Sequence, residues 1–465
     1  MPPNILWICT DQQRYDTIGA LNNGQLRSPN IDRLVANGVS FERAYCQSPI
    51  CTPSRASFLT GMYPSSVHGC GNGNAYWAEA APLVTALLAD AGYDCALAGK
   101  FHLAGARGRI EPRPQHDGYR LFHWSHGPHD YWREGHDYAD WLGEQGYSLA
   151  EMLKRPHETP PELHQTTWCA DRAIDFIKAD HGGAPWLMSI NIFDPHAPFD
   201  PPQAYLDRFD IEAMPGPKFR KSDLAAQAKL RDIDFQTEAR PPEDFDAKRI
   251  QAAYYAMIEQ VDDNVGRMLA ALEDSGQTRN TLVIFTSDHG ETLGDHGLLL
   301  KGCRFYEGLV RVPLIFSLPA QLLAGQRRQS LVELIDIAPT LLDLAGVAIP
   351  ERMQGRSLRS LLTDADAPDF HREFARCEYY SALNPDSREE FSGSYATMIR
   401  DDRYKLIVYH GHDIGELFDL ENDPDEFDNL WDAPAMMPVK LRLMQQSFDA
   451  LAFAVDTGSE QITSS

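Results

Sequence analysis

Side chains able to do chemistry follow four short apolar runs in this chain. Residues 5–9 run into Asp11 and Gln12, and 93–98 into Lys100 and His102. Residues 186–193 run into Asp194 and His196, and 281–285 into Asp288 and His289. Runs of this length, apolar on both faces, read as strands of a sheet covered on both sides. Ligands of open α/β sheets bind beyond the carboxyl ends of the strands. Four such ends would deliver carboxylates, an amide, imidazoles and an ammonium to one edge. Asp11, Gln12, Asp288 and His289 have the oxygen-rich donor set of a hard cation, Ca2+ or Mg2+, and the one imidazole also admits Mn2+. Taken alone, the same residues equally fit a turn-capping Asp11 and a satisfied core His289.

A fifth feature is the segment CTPSRASFLTGMYP, which begins at Cys51. Residues 56–59 are helix-like, and Thr52-Pro53 suits a helix entry. Cys51 would then sit where backbone N–H groups favour an anion, with Arg55 one turn on to neutralise or hold it. In isolation a thiol at a helix start is more often inert packing than a nucleophile.

These residues need a scaffold. A fifth apolar run occupies 313–318, and helices alternate with the runs. Residues 251–273 keep i, i+3, i+4 apolar spacing and stop at Ser275-Gly276; 331–345 reads as a second helix closed by Gly346. Strand–helix alternation predicts an α/β fold: a large, mostly parallel or mixed sheet with helices on both faces. After about residue 363 the chain turns polar. Residues 395–399 and 404–409 around Asp401-Asp402 read as a hairpin, and 437–453 as a closing helix. The expected division is a catalytic domain over 1–365 and a small C-terminal α+β domain, on a short antiparallel sheet, over 366–465. Segments 105–165 and 196–250, rich in Pro, His and charge, read as excursions that shape a pocket. The histidines between His116 and His136 are irregularly spaced among Trp124, Tyr131 and Trp132, and read as a surface loop.

With 42 basic and 67 acidic residues the formal net charge is −25. Such a surface repels nucleic acid and anionic membranes, so neither is an expected partner. It would also repel an anionic substrate, so an anion site must gather its own positive charge. No apolar run reaches bilayer-spanning length. The start, MPPNILWICTDQQR, lacks the basic and small-residue marks of a leader, which points to the cytoplasm. The eight cysteines form no CxxC pair and read as reduced.

CTPSR fits the C-x-P-x-R signature of the type I sulfatases, formylglycine-dependent members of the alkaline phosphatase superfamily, and the chain resembles that family throughout. DQQRYDTIG, GKFHL, FDPHAPFDPP, TSDHGETLGDHGLLLKG, RYKLIVY and GELFDLENDP follow in the family's order. The resemblance implies a sulfuric ester hydrolase of the arylsulfatase type, acting on a sulfated small molecule or saccharide. It implies that a formylglycine-generating enzyme converts Cys51 to Cα-formylglycine, whose hydrate attacks sulfur and then collapses to release sulfate. It assigns Asp11, Gln12, Asp288 and His289, with residue 51, to a divalent cation, Ca2+ ahead of Mn2+ and Mg2+. Arg55 holds the diol; Lys100 and His102 contact sulfate, His102 as the base of collapse. His196 and Lys301 flank the leaving oxygen, and Asn72, rather than Asn74, adds a sulfate contact.

Two departures matter. Asp11-Gln12 and Asp288-His289 replace the commoner Asp-Asp and Asp-Asn, and that pattern resembles the phosphonate monoester hydrolases, so hydrolysis of phosphonate monoesters or phosphodiesters is the alternative. Those relatives carry neutral hydroxyl residues where this chain has Lys100 and His102. A choline-type alkyl sulfatase shares Asp-Gln and K-x-H, but its signature reads C-x-P-A-R and its C-terminal tail is longer.

Overall fold

The computed structural model describes residues 2–79, 81–106, 108–132, 135–319, 321–383 and 393–455. The large sheet contains β1 (Asn4–Thr10), β2 (Val39–Tyr45), β3 (Asp94–Gly99), β4 (Tyr119–Trp124), β5 (Trp186–Ile192), β6 (Thr281–Ser287), β7 (Arg311–Val312), β8 (Leu314–Ser317) and β9 (Gln326–Glu333). Its order is β4-β3-β5-β1-β6-β8-β2-β7, with β9 also paired to β2. The five strands from β4 to β6 run parallel; β8 lies antiparallel to β6 and to β2. This is the mixed, mostly parallel sheet that strand–helix alternation predicts.

Alternation along β1 shows why both faces are covered. Ile5, Trp7 and Cys9 join a core with Ala56, Phe58 and Leu59 of the Cys51–Thr60 helix; Leu6 and Ile8 join another with Trp168, Val261, Val265 and Met268. The last four lie on the helices Gln165–Lys178 and Ala247–Asp274, the second being the helix read over 251–273. Burial of apolar side chains on both faces leaves only the strand ends for polar chemistry.

One reading changes, and strands that the sequence did not mark appear. Residues 331–345 are not one helix. Leu331, Val332 and Glu333 finish β9 in register with Arg43, Ala44 and Tyr45, a turn follows, and the helix is Ile337–Ala345. A short apolar stretch has no period with which to choose between strand and helix. β2 escapes the apolar pattern because Glu42 and Arg43 interrupt it, half-exposed between buried flanks. The expected C-terminal hairpin is present as β11 (Tyr395–Arg400) and β12 (Tyr404–Tyr409), and β10 (Ala375–Tyr380) and β13 (Gly415–Asp419) flank it to complete a four-stranded antiparallel sheet. The helix Met437–Phe453 packs on this sheet through Leu443. Among the described residues no helix is long and apolar enough to cross a membrane.

A buried ion group ties the two sheets together. Lys405 on β12 is fully buried and meets Glu307 at 2.9 Å, Glu426 at 2.6 Å and the Phe305 carbonyl at 2.8 Å. Burial opposes the charge on Glu307, but Lys405 overrides it and holds the carboxyl well below its ordinary range. A depressed carboxyl stabilises the fold above the ordinary value of 4.5, and that contribution is lost as acid protonates it. Lys405→Met leaves two carboxylates buried without their cation. It is expected to cost about 3–5 kcal/mol, read as a lower thermal midpoint at pH 7, with the gap to wild type narrowing in acid. An unchanged midpoint would show that the group does not tie the sheets.

Candidate active site

Parallel register brings the reactive ends together. Thr10 pairs with Ile192 on one side and Ser287 on the other, and Gly99 pairs with Asn191. Residues 11, 100, 194 and 288 therefore emerge in one row. Lys100 N donates to Asn191 O at 2.9 Å and Asp288 N to Thr10 O at 3.2 Å, so each chain is still anchored as it leaves the sheet. Gly99 has φ +107°, and a Cβ there would lie 2.0 Å from Asn191 O, so only glycine lets β3 turn out so tightly.

Cys51 is the first residue of the Cys51–Thr60 helix, with its Sγ in the middle of the group. Lys301 Nζ lies 2.9 Å away, His289 Nε2 3.2 Å, Lys100 Nζ 3.5 Å and Asp11 Oδ1 3.5 Å. Arg55 donates from Nε to Asp288 at 2.9 Å, from Nη2 to Asp11 at 3.3 Å and from Nη1 to the Lys100 carbonyl at 2.8 Å. Lys100 Nζ also meets Asp11 Oδ2 at 2.5 Å. Burial opposes ionisation of Cys51, yet Lys100 and Lys301 hold its thiol well below the ordinary range. Arg55 and Lys100 thus meet the two carboxylates, and Lys301 meets Cys51, a local gathering of positive charge in an acidic protein.

Asp11, Cys51, Asp288 and His289 offer ligand atoms that all lie within 4.8 Å of one another. The donor chemistry fits a divalent cation. His289 Nδ1 donates to the Gly290 carbonyl at 2.8 Å, which leaves the Nε2 lone pair facing the carboxylates. Gln12 joins them with its amide oxygen turned inward, where Lys301 Nζ donates to it at 2.8 Å.

Around this centre lie the other expected residues. His196 Nδ1 donates to Ala197 O at 2.6 Å, and its Nε2 faces Lys301 Nζ at 3.0 Å. Asn72 Oδ1 accepts from Thr52 N at 3.4 Å, at the start of the helix that carries Cys51. Asn74 instead uses its carbonyl to hold Gly105, in the loop after His102. His102 is buried, and among the described residues its Nδ1 has no hydrogen-bond partner. Burial, with Lys100 adding to it, draws its imidazolium down to about 4, so the ring is uncharged near neutrality.

Some side chains fall elsewhere. Asp194 turns away from the group and accepts from Thr166 Oγ1 at 2.5 Å; burial pushes its carboxyl up to about 7. Asp295 binds Arg14 at 2.9 Å, His296 stacks on Tyr306 at 4.0 Å, and His410 bonds Thr397 at 2.9 Å within its own sheet. The 116–136 stretch is not wholly superficial. His126 packs edge-on against His102 at 4.7 Å, while His129 stacks on the half-exposed Tyr131 at 4.8 Å.

One residue essential to this geometry gives no signal in the sequence. Glu111 accepts from His102 N and Leu103 N at 2.8 Å each, from Ala104 N at 3.4 Å and from Trp124 Nε1 at 3.0 Å. It fixes the loop on which His102 sits at φ +57°.

The fold and this group define a hydrolase of the alkaline phosphatase superfamily. A sulfatase family model matches residues 3–347, and one for the C-terminal part of N-sulphoglucosamine sulphohydrolase matches 294–451; the chain belongs to the sulfatase family. It is 31% identical to an arylsulfatase of Clostridium perfringens, over 92% of this chain and 90% of that one. It is 27% identical to an N-acetylglucosamine-6-O-sulfatase of Bacteroides thetaiotaomicron, over 95% and 85%. The solved phosphonate monoester hydrolase of Agrobacterium radiobacter superposes with a TM-score of 0.83 at 26% identity, covering 98% of this chain and 96% of that one.

Glu111→Ala strands three backbone N–H groups and frees the His102 loop. The expected result is a loss in kcat/KM on the order of 100-fold from misplacement and a stability loss of about 1–3 kcal/mol. Steady-state kinetics and a thermal melt check both; unchanged kinetics would remove Glu111 from any positioning role.

Proposed function

We propose that this enzyme cleaves a sulfate monoester of an aryl or carbohydrate alcohol to the alcohol and inorganic sulfate. The nucleophile would be a Cα-formylglycine made from Cys51, assisted by a divalent cation, Ca2+ ahead of Mn2+ or Mg2+. The observation that carries this reading is the place of Cys51 Sγ, within 3.5 Å of Asp11, His289, Lys100 and Lys301 at once. Sγ stands in for the diol oxygens of the modified residue. That diol would supply an attacking hydroxyl, and a cation held by Asp11, Gln12, Asp288 and His289 would act as Lewis acid.

The remaining side chains have roles that follow from their contacts. Arg55 holds both carboxylates and the Lys100 carbonyl, so the oxygens at position 51 meet a fixed field. Lys100, Lys301 and Asn72 line the space where terminal sulfate oxygens would sit, and preorganised positive charge there stabilises charge developing on them. His102, uncharged at neutral pH, is suited to take a proton from the second hydroxyl. His196, with Nε2 beside Lys301, is suited to protonate the leaving oxygen.

Phosphonate monoester hydrolysis is the second reading. It is favoured by Asp11-Gln12, Asp288-His289 and the likeness in fold to a phosphonate monoester hydrolase. Lys100 and His102 weigh against it, because they answer the extra terminal oxygen of a sulfate monoester. The test uses protein made together with a formylglycine-generating enzyme. Mass spectrometry of the tryptic peptide with residue 51 should show the aldehyde, and Cys51→Ala should lower aryl sulfate turnover by on the order of 1000-fold or more. Full activity in Cys51→Ala would falsify the mechanism. Lys100→Ala and His102→Ala should cut sulfate ester hydrolysis more than phosphonate ester hydrolysis; the reverse order favours the second reading.

A further inference from the structure

Gln12 brings an uncharged amide to a position among carboxylates, and the structure shows what stands behind it. Its Oε1 faces inward and accepts from Lys301. Its Nε2 donates in a short hydrogen bond to Glu291 Oε2. A carboxylate only accepts, so this bond decides which end of the amide points at the metal group. The backbone holds Gln12 for the same purpose: its N–H donates to Asp288 at 3.0 Å and its carbonyl accepts from Tyr254 Oη at 2.6 Å. Glu291 is wholly buried. Its other oxygen accepts from Leu293 N at 3.0 Å and Thr292 Oγ1 at 3.3 Å, and from Leu300 N. Among the described residues it has no salt-bridge partner. A buried carboxylate held only by neutral donors is costly to keep, and its charge lies one amide away from the cation group.

We propose that Glu291 is the positioning residue of the cation site. It turns the Gln12 amide oxygen inward and supplies, one residue further out, the negative charge that an amide at position 12 lacks. Gln12 and Glu291 act as one unit, an amide ligand with a carboxylate behind it. The inference rests on the reading that Asp11, Gln12, Asp288 and His289 hold a divalent cation.

Calcium titration of the chelator-stripped full-length protein, followed by calorimetry, tests this without turnover. Glu291→Gln removes the charge and offers Gln12 a partner that no longer fixes its orientation; calcium affinity is expected to fall about 10–100-fold. Gln12→Asp alone sets two carboxylates against each other and should also weaken binding. Combining Gln12→Asp with Glu291→Gln restores one charge and one amide in exchanged places, and should recover affinity to within about threefold of wild type. That recovery separates a charge-and-orientation role from mere packing, since two disruptive core changes would add. A Glu291→Gln protein that binds calcium as wild type does, or a double variant no better than Gln12→Asp, overturns the proposal. Wild type that binds none of Ca2+, Mg2+ and Mn2+ overturns the cation reading itself, and the proposal with it.

Discussion

Asp11 is the residue on which the site depends, because it is a charge buried away from bulk solvent. Its carboxylate is fully buried and meets Arg55, Lys100 and Cys51. A carboxylate stripped of solvent survives only if partners replace its hydration in good geometry. Arg55 and Lys100 are themselves buried and need Asp11 in return. Lys100 has Asp11 as its carboxylate partner, and Arg55 bridges Asp11 to Asp288, so the group is held in one arrangement by shared partners. That rigidity is what a reaction developing charge at a fixed point requires.

The sheet makes this possible at little cost to the rest of the fold. Parallel strands β3, β5, β1 and β6 are apolar on both faces and end in register, so every polar residue that follows them is delivered to the same rim. The Cys51–Thr60 helix then closes the rim from outside. The helix is buried all round and packs on β1 through Phe58 against Trp7, so Cys51 and Arg55 are held in place. Behind the rim, Glu111 and Glu291 hold backbone and amide groups through neutral donors. The site is thus layered: ions at the centre, carboxylates accepting N–H bonds next, apolar core outside.

Much of this was legible in the sequence for a physical reason. Strands β1, β3, β5, β6 and β8 are buried on both faces and so announce themselves as continuous apolar runs, and the residues after them follow. Periodicity likewise marked the Ala247–Asp274 helix. What stayed hidden was whatever depends on contact across the chain. β2 carries Glu42 and Arg43 in its middle, and only pairing with β7, β8 and β9 makes it a strand. Leu331–Glu333 look helical until Ala44 and Tyr45 lie beside them. Asp194 and His196 follow the same strand, but Asp194 turns to Thr166 while His196 faces Lys301. Glu111 stands nine residues from His102 in an unremarkable proline-rich loop, and Glu291 lies 279 residues from Gln12. His126 sat in a scatter of histidines with no spacing to set it apart.

The depth of Cys51 has a consequence for how the protein is made. Its side chain is 1% exposed, roofed by two lysines and walled by its own helix. On the proposed reading, a modifying enzyme would have to reach residue 51 in the growing or unfolded polypeptide, before β1, β3 and β6 come together beside it. Folding would then set a deadline: a chain that folds sooner than it is modified would keep its thiol. The active fraction of a preparation would be decided by a race during synthesis.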